Sequence, residues 1–133
     1  NKSPDEEVKL RRHHLARCMK NFKTDIYFVS TVEPSTKSDD LLTVETFAGT
    51  VCEYADMPKE WTTTRGLYAS FRYEGNWENY PDWVRNIYLI ELPARGLARV
   101  NGSDIERFYY NEDFVEKDGN DVVCEIFIPV RPV

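Results

Sequence analysis

Val8, Leu15, Met19 and Phe22 recur at intervals of seven, four and three, which lays one apolar stripe along a helix. The helix has a start signal ahead of it. Ser3 can cap, Pro4 suits the first turn, Glu6 completes a capping box, and Asp5, Glu6 and Glu7 favour the positive end of the helix dipole. From Asp25 to Val32 the residues are β-branched and aromatic and predict a strand, followed by a polar loop from Glu33 to Asp40. A second strand is expected over Leu42 to Tyr54, with a bulge at Gly49, and Ala55 to Thr64 is a connection carrying Pro58 and Trp61.

Gly66 to Tyr73 alternates Leu67, Ala69, Phe71 and Tyr73 against Tyr68, Ser70 and Arg72, a third strand that Gly75 ends. Tyr80, Trp83, Val84, Ile87, Tyr88 and Glu91 then share one face of a second helix, with Pro81 near its first turn. Leu92-Pro93 and Gly96 stop that helix. Asn101-Gly102 turns into a strand over Ile105 to Tyr110, and Lys117 to Asn120 turns into the last strand, Val122 to Val130.

The order predicts an α+β fold. Its second half, about residues 65–133, is a complete β-α-β-β unit. The first half, about residues 3–64, has the same pattern without an opening strand, so residues 1–133 read as one domain made of a tandem repeat of pattern rather than of letters. Either the repeat is degenerate or the missing strand lies upstream of Asn1, and a beginning in a polar helix cap without Met fits a fragment.

Composition changes this picture in one respect. Three Trp, eight Tyr and seven Phe among 133 residues exceed what a core of this size needs, so some are expected to line a binding surface. The net charge of −6 points away from direct nucleic-acid binding. The basic cluster Lys9 to His14, extended by Arg17 and Lys20, is expected to wrap the solvent side of the first helix. Cys18, Cys52 and Cys124 are odd in number, far apart and free of any Cys-x-x-Cys, which argues against a disulfide framework or a metal site and for a reducing, cytoplasmic setting. No apolar run reaches membrane-spanning length, and no motif calls for a cofactor.

The candidate chemistry centres on Glu106. Period-two geometry places it on one strand face with Phe108 and Tyr110, and a carboxylate between rings demands either a raised pKa or a partner. A cationic ligand would supply both a countercharge and a partner for the rings. The alternative is a surface acid paired across the strands, and a slip of one residue would turn Arg107 inward instead. Asp104, Glu112, Asp113, Glu116, Asp118 and Asp121 read as solvated turn acids. Trp61 and Trp77, in connections, are candidates for a pocket rim, whereas Phe71, Trp83 and Ile87 sit on core-patterned faces. His13 and His14 are adjacent on a charged helix and offer no catalytic set.

The run Gly66 to Gly75, followed by Trp83-Val84-Arg85-Asn86-Ile87-Tyr88 and Glu91-Leu92-Pro93, then Ile105 to Tyr109 and Cys124 to Val130, resembles the gyrase-inhibitor-like (GyrI-like) effector-binding domains. These domains occur in AraC- and MerR-type regulators and as stand-alone drug-binding proteins. The resemblance runs from about Asp25 to Val130. It implies a pseudo-twofold domain with a curved sheet, two helices and a ligand cleft between the halves, in which lipophilic cations lie against rings and a buried glutamate. Carried over, that glutamate is Glu106, the strand aromatic is Tyr68 or Phe71, and the helix tryptophan is Trp83. Tyr73 stands where many relatives have histidine, and the first helix is unusually basic, so ligand identity does not transfer.

The expectation is therefore a binding module for a hydrophobic, cationic small molecule, with Glu106, Tyr68, Phe71, Trp83, Phe108, Tyr110, Trp61 and Trp77 as site residues. It would act as a sensor beside an attached DNA-binding domain or alone, with homodimerisation left open. Two other readings compete. One is a small hydrolase using Glu106 with Tyr68 or Tyr110; the other is a protein inhibitor acting through the acidic segments Ser35 to Asp40 and Glu112 to Asp121.

Overall fold

A computed structural model of the chain describes residues 4–34, 42–49, 66–117 and 119–133. The first helix, α1 (Pro4–Phe22), carries Asp5, Glu6 and Glu7 in its first turn and buries Leu15 and Met19. Phe22, expected on the same stripe, is 58% exposed. Lys23 ends the helix in the left-handed region at φ 53°, its N–H returning to the Met19 carbonyl at 2.8 Å. Strands β1 (Ile26–Pro34) and β2 (Leu42–Gly49) form an antiparallel hairpin. Its register runs unbroken from Pro34 opposite Leu42 to Tyr27 opposite Gly49, and no bulge interrupts it among the described residues. The remainder of the second strand expected beyond Gly49, Cys52 and Trp61 lie outside the described residues.

Strand β3 (Tyr68–Asn76) runs through Gly75, and Asn76 caps the helical run of residues 77–94 by accepting a bond from the Asn79 N–H at 2.9 Å. This run starts as a 3₁₀ turn, continues as α2 (Tyr80–Asn86), widens into a π-helical turn at Ile87–Glu91, and closes as α3 (Leu92–Ala94). In the wide turn the Leu92 N–H reaches back five residues to the Ile87 carbonyl. It falls immediately ahead of Pro93, whose ring has no N–H to give and would crowd a carbonyl four residues back. As a result Ile87 and Leu92 are both buried, while Leu89 and Ile90 face solvent at 68% and 57% exposure. Gly96, at φ +68°, ends the run.

Strands β4 (Leu97–Arg99) and β5 (Gly102–Phe108), the short helix α4 (Glu112–Glu116) and the long strand β6 (Asp121–Pro132) complete the described chain. Neither β4 nor α4 was expected, and β5 begins three residues earlier than the alternation from Ile105 suggested. The strands form one antiparallel sheet in the order β2-β1-β5-β6-β3, with β4 pairing on the last residues of β6. β1 and β5 thus meet at the seam between the two halves. β3 flanks β6 on one side, and among the described residues no strand holds the corresponding place beyond β2.

The core fills one sheet face in two adjoining clusters. An aromatic one gathers Leu15, Met19, Phe28, Trp77, Tyr80, Phe108 and Phe114. An aliphatic one gathers Ile87, Leu92, Ile126, Ile128 and Val130, and Trp83 and Val84 pack against both. The fold is α+β, as the sequence implied.

Candidate functional site

Phe28, Glu106, Ile126 and Phe71 lie opposite one another in consecutive strands, so they form a single row across the core face. The parity expected for β5 is the observed one. Asp104, Glu106 and Phe108 point inward, and Arg107 points out, where it pairs with Asp25 at 2.9 Å. Glu106 is 8% exposed beneath α1 and α2. Both of its oxygens are engaged from above. Arg11 of α1 donates from Nη2 to Oε1 at 2.5 Å, and the Tyr80 hydroxyl of α2 donates to Oε2. Burial, and then the neighbouring Glu106 carboxylate, push the Tyr80 phenol far above its usual range, so it stays a donor. Burial opposes the charge of Arg11, but Glu106 outweighs it and the guanidinium is held more firmly protonated than usual. The Cys124 thiol lies 3.3 Å from the Tyr80 hydroxyl, buried and with its pKa raised chiefly by that burial.

Arg11 meets a ring as well as a carboxylate, its guanidinium carbon lying 5.0 Å from the centroid of Phe28. Beyond Tyr80 the rings continue without a break. Phe108 is 5.4 Å from Tyr80, Trp83 is stacked on it at 5.8 Å, and Tyr73 is 5.4 Å from Tyr80 and 5.0 Å from Trp83. The carboxylate therefore sits at the edge of an aromatic wall built from β3, β5 and α2.

Two residues back along the same face of β5 a second group repeats the arrangement. The Tyr88 hydroxyl donates to Asp104 Oδ2, and Arg99 donates to Asp104 Oδ1 at 3.0 Å. Burial raises the pKa of Asp104 despite the opposing pull of Tyr88 and Arg99. Asp104 had been assigned to a turn; it is a buried strand residue, because β5 starts at Gly102 and parity from Glu106 carries two residues back. The basic residues of α1 likewise do not all face water. Arg11 and Arg12 turn inward, Arg12 donating to the Gly119 carbonyl and lying 4.4 Å from the Phe114 ring.

The remaining expected site residues are dispersed. Trp83 and Phe108 join the wall, and Phe71 shares the row of Glu106 but is separated from it by Ile126. Trp77 is 2% exposed inside the aromatic core, with its indole N–H on the Val8 carbonyl at 2.9 Å, rather than at a rim. Tyr68, three residues from Phe71, lies on the opposite face of β3 and away from Glu106. Tyr110 lies past the end of β5, its N–H bound to Asp25 at 2.7 Å. The pairings a hydrolytic use of Glu106 would draw on are thus not assembled. Residues 112–116 of the acidic segment form α4, anchored by buried Phe114, while residues 35–41 lie outside the described residues. Tyr80 and Arg11 are the site residues that sequence reasoning did not name.

The described elements are thus an antiparallel sheet with helices over one face and a carboxylate, Glu106, buried beneath α1 and α2. The chain belongs to the GyrI-like small molecule binding domain family, whose model matches residues 6–131. It is 97% identical over 68 residues, 51% of its length, to a protein of Escherichia coli (strain K12) named as a candidate HTH-type transcriptional regulator, YkgA, of which the match covers 28%. It is 38% identical over 69 residues, 50% of its length, to the transcriptional regulator Rob of Salmonella typhimurium, and 36% identical over 67 residues, again 50%, to the right origin-binding protein of Escherichia coli (strain K12). Those two matches each cover 23% of the relative, so the matched part of this chain spans about a quarter of the curated proteins it resembles. No described helix is long and apolar enough to cross a membrane.

Proposed function

We infer that this chain binds a lipophilic organic cation at Glu106 and serves as the ligand-sensing part of a transcription regulator. The observation that carries the reading is the buried carboxylate of Glu106, set under two helices at the edge of the ring wall of Phe28, Phe108, Tyr80, Trp83 and Tyr73. Rings accept neutral ligands and attract cations modestly, whereas a carboxylate withdrawn from water adds a charge-assisted bond that only a cation or donor can satisfy. Family membership supports a small molecule as the ligand, and relatives named as transcriptional regulators support the sensing role.

Benzylguanidinium and the neutral benzylurea, nearly equal in shape, separate these contributions when titrated against intrinsic tryptophan fluorescence. The wild type is expected to prefer the cation by at least about tenfold, roughly 1.4 kcal/mol, and Glu106→Gln to erase the preference while leaving the fold intact by circular dichroism. Equal binding of both compounds by the wild type, or an undiminished preference in Glu106→Gln, would remove Glu106 from the site.

A further inference from the structure

Resting on that reading, we propose that Arg11 is an internal occupant of the cation site, which a ligand must turn out before it can reach Glu106. The guanidinium makes the two contacts an organic cation would make there, a charge-assisted bond to Glu106 at 2.5 Å and a position 5.0 Å from the ring of Phe28. Its side chain comes from the surface. It is 37% exposed against 10% for the carboxylate it covers, so part of it already faces water while Glu106 does not. Glu106 is not abandoned when it leaves, because Tyr80 holds the other oxygen.

The neighbouring groups sharpen the assignment. Arg99, which plays the matching part at Asp104, is fixed by three acceptors: that carboxylate and the carbonyls of Val100 and Gly102, both at 3.1 Å. It is a fastened structural cation. For Arg11, among the described residues, the one hydrogen-bond partner is Glu106. Nor does α1 depend on Arg11 for its seat, since Leu15 and Met19 are buried, Trp77 holds the Val8 carbonyl and Arg12 binds Gly119. The displacement is thus a side-chain event on a helix that stays in place. Ligand affinity then equals the intrinsic affinity scaled by the fraction of molecules in which Arg11 is out. The same fraction scales every ligand that must displace Arg11, so the occupant lowers the affinity of cationic and neutral ligands alike, and the preference between them rests with Glu106.

Propylguanidinium is the arginine side chain detached from its backbone, and propylurea is its neutral counterpart. In Arg11→Ala, propylguanidinium is expected to bind saturably by tryptophan fluorescence and to raise the melting temperature, with propylurea doing neither. The wild type should bind it at least tenfold more weakly, and Arg11→Ala/Glu106→Gln should lose it. Arg11→Ala is also expected to bind benzylguanidinium at least tenfold more tightly than wild type. If Arg11→Ala does not fold by circular dichroism, Arg11→Gln, which keeps most of the length without the charge, is read in the same way. Equal affinity of wild type and variant for both cations overturns the internal-occupant assignment, and the Glu106 reading survives if Glu106→Gln still erases the preference for benzylguanidinium over benzylurea. Absence of cation binding in wild type and variant alike overturns both.

Discussion

Glu106 and Asp104 are two residues apart on one strand face, and each is held by one tyrosine and one arginine. Burial raises the pKa of Asp104, so the folded state binds its proton more tightly than the unfolded chain does, where 3.8 is the ordinary value. A raised carboxyl pKa contributes stability that is complete below the unfolded value and declines as pH rises through the folded one. Wild type should therefore gain on Asp104→Asn as pH is lowered from neutrality towards the ordinary carboxylate range, in urea unfolding curves taken at several pH values. A difference independent of pH would mean that Asp104 is as easily ionised in the fold as out of it. At this scale much of the site was legible. Alternation through Ile105-Glu106-Arg107-Phe108 assigned Glu106 inward, and the same step back reaches Asp104, but Asn101-Gly102 drew the expected turn over it. Arg11 was legible too. It fills the seven-residue gap between Val8 and Leu15, three after one and four before the other, and so lies on the apolar stripe itself. Its charge concealed it, because an arginine is assigned to water by default.

The elements that sequence periodicity identified are those long enough to show a period. α1, β1, β3 and β6 emerged within a few residues of their observed bounds, whereas β4, with three residues, and α4, with five, are too short to repeat anything. The helical run 77–94 was recognised as a helix but not as one that changes pitch. Tyr80, Trp83, Val84 and Ile87 keep an α-helical interval, and the wide turn before Pro93 then re-aims the chain so that Leu92 is buried five residues after Ile87. Tyr88 lies within that turn, so the partner of Asp104 is positioned by it. The run ends at Gly96, where an added Cβ would meet no atom within 4 Å and the cost of substitution is the left-handed backbone alone. Gly96→Ala should destabilise the protein by about 1 kcal/mol, and Gly96→Asn by less, since asparagine tolerates that conformation. Chemical denaturation of the two variants checks the order, and equal losses would point to a contact instead of a torsion.

For the molecule as a whole, the repeat of pattern seen in the sequence matches the sheet: β1 and β5 at the seam, β2 and β6 outside them, and β3 beyond β6. What the sequence did not reveal is how unequally the strands depend on one another. Among the described elements β6 is the sole strand partner of β3 and of β4 and one of the two partners of β5, yet it is the last of them in chain order. A ribosome makes it last. While it is still inside the exit tunnel, Phe71, Ile87 and Leu92 have no aliphatic sheet to cover, β3 and β4 lack the strand they pair with, and β5 has β1 alone. Nascent chains stalled short of Asp121 are accordingly expected to be degraded by added protease, and chains stalled far enough beyond Pro132 to resist it. Protection that rose gradually with length would show that the first half folds alone. If the transition is abrupt, the window in which this domain is exposed to chaperones is set by the time taken to translate β6.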